Sequence, residues 1–146
     1  MSTRMILVAE DSEDDRFILN EAITEACVDC PVRMVEDGQQ ALDYLNSAGA
    51  FADRQKFPAP DLLLLDLKMP VKNGFETLEE LRAQDRWRFL PVLILSASSQ
   101  PQDIEKAHRL GANGYLVKPT ALADLTEMMK AVESFWLRFN HAPSPL

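Results

Sequence analysis

Three runs in this sequence are apolar at every position and stop abruptly at a carboxylate or a hydroxyl. They are Ile6-Leu7-Val8-Ala9 before Glu10, Leu62-Leu63-Leu64-Leu65 before Asp66, and Val92-Leu93-Ile94-Leu95 before Ser96. A strand with one wet face alternates polar with apolar residues, so runs without alternation must be covered on both faces, as at the centre of a parallel sheet. Two weaker runs, residues 32–35 and 115–117, bring the count to five.

The segments between the runs have helical spacing. Residues 14–26 carry Phe17, Ile18, Ala22 and Ile23; residues 39–46 carry Ala41, Leu42 and Leu45; residues 75–84 carry Leu78 and Leu81. A longer stretch, 121–139, carries Leu122, Leu125, Met128, Met129, Val132, Phe135, Trp136 and Phe139. Each forms an apolar stripe suited to covering a sheet. Strand and helix alternate, which predicts an α/β fold: a doubly wound parallel sheet with helices on both faces. Residues 47–60, with Gly49, Pro58 and Pro60 and little periodicity, read as a surface connection.

In an open parallel sheet, functional groups collect beyond the carboxyl ends of the strands. Glu10 and Asp11 follow the first run, Asp66 the third, Ser96 the fourth and Lys118 the fifth. Carboxylates gathered there repel one another unless a cation neutralises them. Mg²⁺ (or Mn²⁺) suits such a set, taking one or two carboxylates along with water and phosphate oxygens. Asp11 and Asp66 are the expected direct ligands, with Glu10 acting indirectly through water. A carboxylate can also attack phosphorus to form an acyl phosphate when a metal and a lysine neutralise the phosphoryl oxygens. That makes Asp66 the candidate nucleophile, Lys118 its cationic partner and Ser96 a hydroxyl donor. Helix capping by Glu10, Asp11 and Ser12 is the simpler explanation for the first group. It does not account for an aspartate after four leucines or for Lys118-Pro119 after a strand.

The formal net charge of −8 argues against nucleic acid as a partner. No run approaches the ~20 apolar residues that span a bilayer, and a cytoplasmic location is expected. Hydrophobic residues at 47% supply one core, so one domain over residues 4–139 is expected, with 140–146 as a flexible tail and no output domain. Cys27 and Cys30 form a C-x-x-C after a helical segment, the wrong setting for a redox site between strand and helix. His108 and His141 lie apart from the acids and read as surface or packing residues. Phe135, Trp136 and Phe139 suggest an exposed apolar patch and a homodimer through this end.

The motifs V-A-E-D-S, L-L-L-L-D-L-K-M-P-V-K-N-G, L-I-L-S-A and G-Y-L-V-K-P, in this order, resemble the receiver domains of two-component response regulators over residues 4–138. The resemblance implies a flavodoxin-like receiver fold with strand order 2-1-3-4-5 and five helices. It assigns the acid pair to Glu10 and Asp11, the phosphoacceptor to Asp66, the hydroxyl to Ser96 and the lysine to Lys118. It also implies a metal ligand in the backbone carbonyl of Lys68, a cis peptide between Lys118 and Pro119, and a Ser96/Tyr115 switch. Such a protein is a phosphorylation-controlled signalling switch that catalyses its own phosphorylation and dephosphorylation, and its partner is a sensor histidine kinase. Length, the 47–60 connection and the long last helix most resemble the regulators of bacterial phytochrome-type kinases. Thr120 departs from the aromatic that many members carry there, and Lys68 and Ser98 fill variable positions beside the site. A flavin-binding electron carrier and an aspartyl-phosphate phosphatase are the alternatives. The first lacks a phosphate cradle after the first strand, and the second lacks an acid at Lys68.

Overall fold

The computed structural model of the chain describes residues 4–26 and 29–144. Five strands, β1 (Ile6–Ala9), β2 (Val32–Val35), β3 (Leu62–Leu65), β4 (Val92–Ser96) and β5 (Gly114–Val117), form one sheet in the order β2-β1-β3-β4-β5. Every neighbouring pair is parallel. The three runs without alternation are its three central strands, as expected, and each of their residues is buried.

Successive side chains of a strand point to opposite faces, so each leucine-rich strand serves two cores. Leu7, Ala9, Leu63, Leu65, Val92 and Ile94 enter one. Helices α2 (Gly38–Leu45), α3 (Gly74–Arg82) and α4 (Pro101–Arg109) cover it with Ala41, Leu45, Leu78, Leu81 and Ala107. Ile6, Val8, Leu62, Leu64, Leu93 and Leu95 enter the other. There α1 (Glu13–Glu25) and α5 (Leu122–Val132) supply Leu19, Ala22, Ile23, Leu125, Met129 and Val132. The helix starts are set locally. Ser12 caps α1 by accepting from Asp15 N–H at 3.2 Å, Asp37 caps α2, and Asn73 and Glu76 form a capping box on α3.

Four features depart from the sequence reading. Helix α4 does not appear in the sequence reading: its apolar stripe is short, Ile104 and Ala107 among charged residues, and only Ala107 is buried. The connection 47–60 runs over the surface as expected, but it carries a packed aromatic pad that its lack of periodicity did not announce. The rings of Tyr44, Phe51 and Phe57 lie 5.2–5.8 Å apart, and the Arg54 guanidinium donates to Tyr44 O and Phe57 O at 2.9 and 3.1 Å and also to Leu45 O. The last helix is not one continuous α-helix, because Glu133–Phe139 adopts a π-helical turn. Its wider i→i+5 pattern turns Leu137 into the core and Trp136 against it, leaving Phe135 and Phe139 outside. After that turn Arg4 donates to Asn140 O at 2.7 Å and to His141 Nδ1 at 3.2 Å, tying down the start of the segment expected as a tail.

Of the C-x-x-C, Cys27 lies outside the described residues. Cys30 is half-buried, and burial pushes its thiol up to about 11, away from the thiolate that redox or metal chemistry needs. No helix among the described residues is long and apolar enough to cross a membrane.

Candidate metal and phosphoryl site

The carboxyl ends of β1, β3, β4 and β5 converge on one opening of about 300 Å³. Glu10, Asp11, Asp66, Lys68, Ser96 and Lys118, from four separate segments of chain, all line it. Carboxylate oxygens of Glu10, Asp11 and Asp66 lie within 4.8 Å of one another. Glu10 and Asp66 are only 3% and 9% exposed, whereas Asp11 is open to solvent.

Asp66 is fixed by its neighbours. Its N–H donates to Ala9 O at 3.1 Å, tying the end of β3 to β1, and its Oδ1 accepts from Leu67 N–H at 2.7 Å. Gly74, the first residue of α3, backs directly onto it: a Cβ there would stand 2.3 Å from Asp66 O and 2.8 Å from Leu67 Cα, so only glycine fits.

Lys118 reaches Asp66 Oδ2 at 3.1 Å and Asp15 Oδ2 at 3.3 Å, and its ammonium also pairs closely with Glu10. Burial works against the lysine's charge, yet the hydrogen bond to Glu10 and the charges of Asp66 and Glu10 outweigh it and push its pKa up. For Glu10 burial dominates. Assisted by the Asp66 charge and opposed by bonds from Lys118 and Ser12 N–H, it lifts the carboxyl to about 7. One ammonium does not fully compensate these acids. The three carboxylates are a donor set that suits a hard divalent cation.

The expected cis bond between Lys118 and Pro119 is not found, and the peptide is trans. The lysine needs no such turn to reach the acids. Its own N–H donates to Ser96 O at 2.8 Å, which aligns the end of β5 with β4 and aims the side chain across the opening. Ser96 is buried, its Oγ accepting from Ser98 N–H at 3.1 Å. Tyr115 sits near the start of β5, half-buried, with its hydroxyl donating to Ser98 O at 2.9 Å.

Two site residues escaped the sequence reading. Asp15 adds a carboxylate to Lys118. Arg16 donates to Glu10 O at 2.8 Å and Asp11 O at 3.0 Å and pairs with Glu36, thereby holding the loop that presents both acids. Both lie in the first turns of α1, where an acid ordinarily serves the helix dipole and an arginine ordinarily reaches into solvent, so nothing in the residue pattern distinguished them. His108 and His141 are not among the residues lining the acidic opening.

The chain belongs to the response regulator receiver domain family, which it matches over residues 6–130. It is 34% identical over 141 residues to the response regulator Rcp1 of Synechocystis sp., covering 97% of this chain and 94% of that one, and the Mn²⁺-bound form of Rcp1 superposes with a TM-score of 0.83. It is also similar to the phosphorylated cyanobacterial phytochrome response regulator RcpA (34% identity, TM-score 0.88, 98% of this chain and 100% of that one). The response regulator RPA3017 in red light signaling of R. palustris gives 38% identity and a TM-score of 0.92, with 97% and 99% covered.

Proposed function

We propose that the protein accepts a phosphoryl group from a partner histidine kinase onto Asp66 in a Mg²⁺-dependent reaction. The carrying observation is a buried carboxylate held by a backbone N–H and a lysine, with two further acids within 4.8 Å over an open cavity. An Asp66 oxygen attacks phosphorus, the P–N bond to the kinase imidazole breaks, and the imidazole leaves with a proton from solvent. Lys118 neutralises charge on the transferring oxygens, and Ser96 donates its hydroxyl to one of them. Asp11, Asp66 and the Lys68 carbonyl would hold Mg²⁺, with Glu10 acting through water. The ion supplies charge neutralisation at the phosphoryl oxygens and orients them. The Mn²⁺-bound form of Rcp1 supports a divalent ion here.

The output is a shape change. Ser96 and Tyr115 both bond to Ser98, so a phosphoryl group that draws on Ser96 also moves the backbone to which Tyr115 is tied. The protein is in this reading a switch rather than a conventional enzyme. Its kinase belongs to the phytochrome type, because RcpA is a phytochrome response regulator and RPA3017 acts in red light signaling. Phe135 and Phe139, 55% and 65% exposed, form a homodimer contact, while Trp136, packed inward, supports them at 5.0 Å from Phe135. Sedimentation giving only monomer, with and without phosphorylation, would remove the dimer.

Acetyl phosphate with Mg²⁺ followed by intact mass tests the chemistry. One phosphoryl group that needs Mg²⁺ and is lost in Asp66→Asn supports the assignment. No gain under any condition rejects it.

A further inference from the structure

Ser98 has every polar group engaged. Its N–H donates to Ser96 Oγ at 3.1 Å, its carbonyl accepts from Tyr115 at 2.9 Å, and its hydroxyl donates to Asp103 Oδ2 at 2.6 Å. The same hydroxyl oxygen accepts from Gln100 N–H at 3.3 Å, at the start of α4. Asp103 lies in the first turn of that helix, and Gln100, the N-cap, makes no side-chain cap of its own. With Ala107 as its only buried residue, α4 has little apolar packing to set its position, so polar bonds at its N-terminus carry unusual weight.

A serine oxygen that accepts a backbone N–H keeps its own O–H for a different acceptor. Ser96 faces the cavity of Asp66 and Lys118, where a phosphoryl group on Asp66 would offer that acceptor. Holding Ser98 in place therefore pre-aims Ser96, and the strongest side-chain bond that holds it is the charge-assisted one to Asp103.

We propose that Asp103 is a positioning residue for the phosphoryl reaction: through Ser98 it holds the Ser96 hydroxyl ready for the phosphoryl group and couples that group to the N-terminus of α4. This inference rests on Asp66 being the phosphoacceptor. The alternative role for an acid at this position is to complement the helix dipole.

The test compares the full chain with Asp103→Ala, Asp103→Asn, Ser98→Ala and the double variant Ser98→Ala/Asp103→Ala. Mg²⁺ and acetyl phosphate are supplied, and intact mass follows phosphoryl gain and its decay after the donor is removed. Loss of one charge-assisted hydrogen bond predicts roughly tenfold slower phosphoryl gain in Asp103→Ala and in Ser98→Ala. The double variant is no slower than either, because one bond is being removed twice. Asp103→Asn, which keeps an acceptor oxygen but no charge, falls between Asp103→Ala and the natural chain, about threefold slower than the latter. If Asn behaves like Ala, if the two single effects multiply, or if the rate of phosphoryl gain is unchanged, the positioning role is overturned. Should Asp103→Ala fail to fold, Ser98→Ala against Asp103→Asn decides. Absence of phosphoryl gain by the natural chain would instead reject Asp66 as acceptor, a result separate from these.

Discussion

Gly74→Ala joins the fold to the chemistry at one atom. The new methyl would stand 2.3 Å from Asp66 O, 2.8 Å from Leu67 Cα and 3.1 Å from Asp66 C, all backbone, so no side chain can swing away to admit it. Forced overpacking of this kind costs about 3 kcal/mol at the upper end of its usual range. Alanine's better helix propensity returns about 1 kcal/mol. The net loss of about 2 kcal/mol is to be compared with an unfolding entropy near 0.3 kcal/mol/K for 146 residues. A fall of about 6–7 °C in Tm follows, read by circular dichroism. The strain is relieved by moving α3 away or by moving the end of β3, and the second route shifts Asp66 relative to Lys118. A misplacement near 1 Å costs on the order of a hundredfold in rate. Phosphoryl gain from acetyl phosphate should therefore slow far more than stability falls. A variant that melts with the natural chain and is phosphorylated at the same rate would refute the claim that this contact positions Asp66.

Three further expectations follow from the same structure. Val71 is 75% exposed yet holds φ at +65°, a left-handed conformation that a β-branched side chain resists, so Val71→Asn should stabilise by about 1 kcal/mol, or about 3 °C; an unchanged or lower Tm would contradict it. Cys30 has its folded pKa raised from 9.0 to about 11, so the neutral thiol is the form that the fold favours. Its contribution is complete below pH 9.0 and is lost as pH rises toward about 11, a loss of roughly 1 kcal/mol after allowing for solvent screening. Urea denaturation of the natural chain and Cys30→Ala across this window should show the extra slope only when the thiol is present. Lys118→Met leaves Glu10 and Asp66 without their ammonium, costing about 3 kcal/mol in the metal-free protein. Added Mg²⁺ should then raise Tm more in the variant than in the natural chain, and an equal rise would mean that lysine and cation do not neutralise the same charge.

Much of the fold was legible because burial on both faces of a parallel sheet writes itself into the chain as unbroken apolar runs. Leu62–Leu65 read as a central strand and is one. The acids at the run ends were equally readable, since the topology of an open α/β sheet sends every strand's carboxyl end to one rim. Helix α4 was not, because its stripe is only Ile104 and Ala107 among charged residues and it buries a single alanine. Nor was the inward turn of Trp136, because a change from α to π winding redirects side chains without altering their order.

The sequence by itself determined the five strands, the helices with a broad apolar stripe, the parallel arrangement and the acids, serine and lysine at the strand ends, all of which depend on local periodicity and on position along each strand. Only the tertiary structure decided that Lys118 serves Asp15 as well as Glu10 and Asp66, that Arg16 grips the acid loop, and that Ser98 ties Ser96, Tyr115 and Asp103 together. These are contacts between residues far apart in sequence or buried in ordinary capping positions. Their distances depend on how helices settle against the sheet, and no residue pattern encodes that.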